Sequence, residues 1–138
     1  RHTRYISVTG VQTCALPISI FVDIVVETYV SGQSFFPTEK TLRPIIAQTP
    51  FIVMGPKGYL ANLRRMGFMT FSQWWDESYD NCSDYQRLCK IRDVYHKILT
   101  WNQDQLHLIL SEMKDTIDHN RSLLQNLTNE SVLLDDQK

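Results

Sequence analysis

The residues best placed for chemistry are Thr38, Glu39, Lys40 and Arg43, in the run Phe36-Pro37-Thr38-Glu39-Lys40-Thr41-Leu42-Arg43-Pro44-Ile45. Thr38 has the side chain of a helix N-cap, and two cations fall in the first turns of the helix it would begin. A helix N-terminus carries partial positive charge and unpaired N–H groups, so cations there are unfavourable unless a negative group sits with them. A phosphate or diphosphate supplies that charge. Alternatively, Lys40 and Arg43 extend into water along their aliphatic stems.

Two other groupings carry reactive side chains. In Gln73-Trp74-Trp75-Asp76-Glu77-Ser78-Tyr79-Asp80, the acids Asp76, Glu77 and Asp80 could include a general base or a metal-facing carboxylate. They read better as helix caps beside two packing tryptophans, with Ser83 or Asp84 capping the helix that follows. Cys82, Cys89 and His96 are spaced seven apart and would stack along that helix, but three such residues without a fourth ligand are a poor metal site. No metal and no resident cofactor are expected.

The elements that position these residues follow from periodicity. Residues 20–30 are β-branched and almost continuously apolar, as in a strand buried on both faces of a parallel sheet. Residues 31–37 read as a loop. A helix over residues 38–47 follows, with Pro44 either kinking it or fixing its start at Thr41. Residues 50–54 form a second short strand, and Gly55-Pro56-Lys57-Gly58 turns the chain into an amphipathic helix over residues 59–66 that Gly67 ends. Residues 68–71 alternate weakly and are taken as a third strand. Alternating strands and helices imply crossovers and a parallel sheet. The expectation is thus an α/β chain: a partial doubly wound (Rossmann-like) parallel sheet of about three strands followed by C-terminal helices, its other half upstream. In such sheets ligands sit outside the carboxyl ends of the strands, where residues 31–40 and 55–58 would open.

Beyond residue 84 the pattern is helical, with Tyr85, Leu88, Ile91, Tyr95, Ile98 and Leu99 marking one face. Leu106, Leu110, Met113, Ile117, Leu124 and Leu127 follow a four–three alternation in which Asn120 occupies the missing position. The break at residues 118–121 suggests helices folding back on the sheet, with pairing to a second chain as the alternative. The tail from residue 128 is polar and expected to fray.

The first 18 residues stand apart. Val8 to Ile18 resembles a translated sequencing adapter, residue for residue, so residues 1–18 are set aside as non-native. Residues 19–100 are then an α/β half-domain, 101–127 C-terminal helices and 128–138 a tail. With Arg1 and Arg4 set aside, 12 basic residues face 15 acidic ones, a net charge of −3 that leaves no electrostatic footprint for nucleic acid. No apolar run is long enough to span a bilayer. Two remaining cysteines are too few for a disulfide framework and fit a reducing compartment, the cytoplasm of an infected or host cell. The four Asn-x-Ser/Thr triplets are read as chance matches.

Phe36-Pro37-Thr38-Glu39-Lys40-Thr41, Pro44-Ile45, Pro50-Phe51-Ile52, Gly67-Phe68-Met69-Thr70-Phe71 and Trp75-Asp76-Glu77-Ser78-Tyr79-Asp80 together resemble a poorly characterised family found in tailed phages and environmental sequence. More distantly, Thr38-Glu39-Lys40 after a strand and loop resembles the donor-binding motif in the C-terminal half of GT-B glycosyltransferases of the fucosyltransferase type. That resemblance implies a nucleotide-sugar substrate, with Glu39 on the donor ribose and Lys40 on the pyrophosphate. It also implies a partner domain, N-terminal in the same protein, that binds the acceptor. The competing expectation is a noncatalytic α/β module of a phage structural or host-interaction protein, in which these residues cap and pack.

Overall fold

The computed structural model describes residues 5–9, 20–27 and 37–136. The outer parts of two expected elements, residues 28–30 of the first strand and 31–36 of the loop, lie outside the described residues, as do residues 137 and 138 of the tail. In chain order the elements are β1 (Tyr5–Thr9), β2 (Ile20–Val26), α1 (Glu39–Ile46), β3 (Phe51–Met54), α2 (Tyr59–Arg65), a 3-10 turn (Ser78–Asn81), α3 (Asp84–Leu99) and α4 (Gln103–Asp136).

The apolar runs of β2 and β3 pair in parallel, Asp23 opposite Phe51 through Val26 opposite Met54. Both faces are covered: Val22, Val25, Phe51, Ile52 and Val53 are all buried, so neither run needs polar alternation. β1 lies parallel on the other edge of β2 and comes from the residues set aside above.

The expected sheet of strands from residues 20–30, 50–54 and 68–71 is not formed. From residue 20 onward the described strands are β2 and β3 alone, and helices of 8, 7, 16 and 34 residues dominate. A doubly wound, Rossmann-like half is therefore not what the chain builds. The segment expected as a third strand finds its hydrogen bonds elsewhere. The Asn120 side chain on α4 accepts from Met69 N at 2.8 Å and donates to Met69 O at 2.9 Å. Glu77 accepts from Phe71 N at 3.1 Å, and a His119 ring nitrogen lies 2.8 Å from Gly67 O. Side chains have satisfied the backbone groups that a neighbouring strand would have used.

The helices also differ in detail from the sequence expectation. α1 begins at Glu39, so Pro44 lies inside it rather than in its first turn. It ends where Gln48 takes a left-handed φ of 55°, with Thr49 N donating to Pro44 O at 2.9 Å. The Gln48 amide donates to Asp118 and accepts from Arg121, tying that end to α4. α2 stops at Gly67 as expected, with φ at +99°. On α3 the inward face is Arg87, Ile91, Val94 and Ile98, whereas Tyr85 and Leu88 are exposed. α4 runs unbroken through residues 118–121 and is helical to Asp136, so the expected interruption is absent. Its alternating positions Leu106, Met113, Ile117 and Asn120 are buried against the rest of the chain, with Leu110, Leu124 and Leu127 half-buried beside them.

The core joins these layers through aromatics. Phe51 on β3 meets Phe71 edge to face at 5.1 Å, and Phe71 packs on Trp75 at 5.5 Å. Phe21 on β2 meets Trp101, between α3 and α4, at 6.0 Å.

Candidate functional site at the carboxyl ends of the strands

β2 and β3 end side by side, with Glu27 N donating to Met54 O at 3.0 Å. Glu27, directly after the last residue of β2, is only 4% exposed. Its carboxylate accepts from Thr38 Oγ1 at 2.7 Å, Thr41 Oγ1 at 2.5 Å and Tyr59 OH at 2.9 Å. Thr41 Oγ1 and Tyr59 OH are themselves 2.9 Å apart, closing a triangle. Burial pushes the Glu27 carboxyl up, but the bonds from Thr41, Thr38 and Tyr59 outweigh it and hold the group below the usual range. The carboxylate is therefore ionised. Tyr59 is pushed up, by burial first and by the Glu27 carboxylate beside it, and keeps its proton as a donor.

Thr38 is the N-cap of α1, as its position in the sequence suggested. Its hydroxyl accepts from Lys40 N at 3.2 Å while donating to Glu27, so the helix N-terminus is relayed through one hydroxyl to a buried anion. The positive end of α1 is thus answered from within the protein, through its backbone N–H groups. Around it, Glu39 and Arg43 are exposed, Lys40 half-buried and Thr41 fully buried.

α2 starts from the carboxyl end of β3 and brings Tyr59 to the cluster. Its N-cap, Gly58, has φ of +81° and offers no side-chain cap. Asp80 does that work from a distance, accepting from Leu60 N at 2.8 Å and Ala61 N at 3.1 Å, while its carbonyl accepts from Gly58 N at 2.8 Å. Gly55 leaves room for Tyr59: a Cβ there would stand 2.9 Å from Tyr59 Cδ2.

The acidic block accordingly caps and packs. Asp80 caps the helix before it, not the one after it as expected. Asp76 accepts from Ser78 N and Oγ, each at 2.9 Å, which holds its carboxyl below the usual range. Glu77 is buried beneath Arg64, 3.2 Å away, and burial pushes its carboxyl up against the opposing bonds. Ser83 does precede α3 in N-cap geometry, but its side chain makes no capping bond. These acids line a polar cleft of about 350 Å³ with Arg64, Trp75 and Asn81. Cys82 lies outside α3, with Sγ 3.4 Å from Ser78 O, so Cys82, Cys89 and His96 do not share one helix.

A larger groove of about 490 Å³ runs between α1 and α4, lined by Leu42, Ile46, Arg121 and Leu124 among others. Thr38, Glu39, Lys40 and Arg43 line neither groove. Sequence reasoning found Thr38 and the charged turn but missed Glu27, Thr41 and Tyr59. The available signal was Glu27 itself, with Asp23 one of two carboxylates in the mostly apolar run of residues 20–30. Among the described residues, no helix is long and apolar enough to cross a membrane. No family model, curated protein or solved structure matches the chain.

Proposed function

We propose that this chain is the nucleotide-sugar-binding half of a glycosyltransferase-like protein, holding the donor at the carboxyl ends of β2 and β3. Glu39 pairs with ribose hydroxyls, and Lys40, with Arg43, meets the diphosphate. Charge stabilisation of a diphosphate leaving group is the chemistry this arrangement supplies. The observation that carries the reading is the first turn of α1: it is pinned at the strand ends by Thr38 and Thr41 while Glu39 and Arg43 remain in solvent. The acceptor and the catalytic base belong to the other half, so the chain alone binds without turnover.

Calorimetric titration of the chain with UDP- and GDP-sugars tests this. Lys40→Ala should weaken binding of the preferred donor by roughly tenfold, the scale of one lost charge-assisted contact, and Glu39→Ala should weaken it less. No binding of either donor, or binding indifferent to both substitutions, would falsify the reading.

A second reading has its own support. Asp76, Glu77 and Asp80 each bond to backbone groups or hydroxyls of their own neighbourhood, as expected of a noncatalytic module of a phage particle or host-interaction protein. Failure of both donors to bind would favour it.

A further inference from the structure

Glu27 is the meeting point of three elements. It stands at the end of β2, with its own N–H on the end of β3. Thr38 and Thr41 reach it from the start of α1, and Tyr59 reaches it from the start of α2. A bond to an ionised acceptor is roughly twice as strong as one between neutral groups, and here three converge on a carboxylate withdrawn from water. Thr38 passes the restraint on to the Lys40 amide. No other contact described between the strand ends and the opening of α1 has this charge-assisted character.

We infer that Glu27 is the positioning residue of this site: an internal anion that sets the first turn of α1, and with it Glu39 and Lys40, against the strand ends. What that turn holds rests on the nucleotide-sugar reading; the positioning itself does not. One consequence concerns the ligand. Glu27 already answers the positive end of α1, so a bound diphosphate depends on the side-chain charges of Lys40 and Arg43 rather than on the helix terminus.

The test uses the full chain and two readouts. Amide exchange reports whether the turn is held. In Glu27→Gln the Lys40 and Thr41 amides should exchange about tenfold faster after correction for the global change reported by the Ile52 and Met113 amides, and an equal acceleration at all four overturns the inference. Titration with UDP and GDP reports whether that order matters for binding. Affinity for the preferred nucleotide should fall at least roughly tenfold, since a small misplacement of a binding group has effects of that size. Lys40→Ala should then cost little more in the Glu27→Gln background, because the two act as one unit.

Unchanged exchange at Lys40 and Thr41 overturns the inference. So does affinity that rises in Glu27→Gln, which would make the carboxylate a repelling charge. A full Lys40→Ala effect retained in that background overturns it too. If Glu27→Gln does not fold, Thr41→Val and Thr41→Ser replace it: Val should reproduce the losses and Ser restore wild-type behaviour, and Val behaving as wild type overturns the inference. If neither nucleotide binds the wild-type chain, the nucleotide-sugar reading falls, and amide exchange alone decides the positioning role.

Discussion

Two buried glutamates in this chain titrate in opposite senses, and the difference lies in the balance between burial and what donates to them. Glu27 receives three hydroxyl bonds and is held below 4.5; Glu77 is more deeply desolvated, and burial holds it above 4.5 against the Thr70 hydroxyl, the Phe71 N–H and a half-exposed guanidinium. Glu27 therefore contributes stability that is present above pH 4.5 and lost as pH falls through its folded value. Glu77 does the reverse: its contribution is full below pH 4.5 and disappears as pH rises through its folded value. Urea midpoints followed through the acid range should show Glu27→Gln losing the acid-side fall in stability. Glu77→Gln should lose the decline on the alkaline side of its titration. A further prediction concerns Asn120, where the four–three alternation of α4 asks for leucine. Asn120→Leu should be destabilising by about 1–3 kcal/mol in equilibrium unfolding, since it strands the N–H and carbonyl of Met69.

At the scale of elements, the connections are held by groups distant in sequence. α2 is opened by Asp80, some twenty residues away, so Asp80→Ala should cost about 0.5–2 kcal/mol, the range for a lost N-cap. Thermal melts would measure it. Gly55→Ala forces a contact with the Tyr59 ring and should cost about 1–3 kcal/mol through overpacking. It should also disturb the Glu27 cluster, visible as faster exchange at Thr41. Gly67 is constrained by its φ of +99°, and an added Cβ would also meet Leu123 Cδ2 at 3.3 Å. The turn from α2 to the segment under α4 depends on that glycine.

Taken whole, the chain is a short parallel sheet carried by helices. A two-stranded pair supplies too little apolar surface to stand alone, and α3 and α4 complete the core with Ile91, Val94, Ile98, Leu106 and Met113. Met113→Ala should therefore cost about 2–5 kcal/mol, the range for emptying a fully buried site, and lower a single cooperative transition. Loss of only the α4 signal in such a melt would show that the helix is an appendage. Element types in the chain's middle were legible because they follow from local periodicity and punctuation: the apolar runs of β2 and β3, the Thr38 cap, the stop at Gly67, the seam of α4. Partnership was not. A weakly alternating stretch such as residues 68–71 becomes a strand only if another strand meets it, and Asn120 and Glu77 met it instead. Likewise, that the N-terminus of α1 meets an internal anion depends on Glu27 lying 11 residues from Thr38 in sequence and 2.7 Å from it in space. A long-range hydrogen bond leaves no periodic trace along the chain, so only the folded arrangement could decide it.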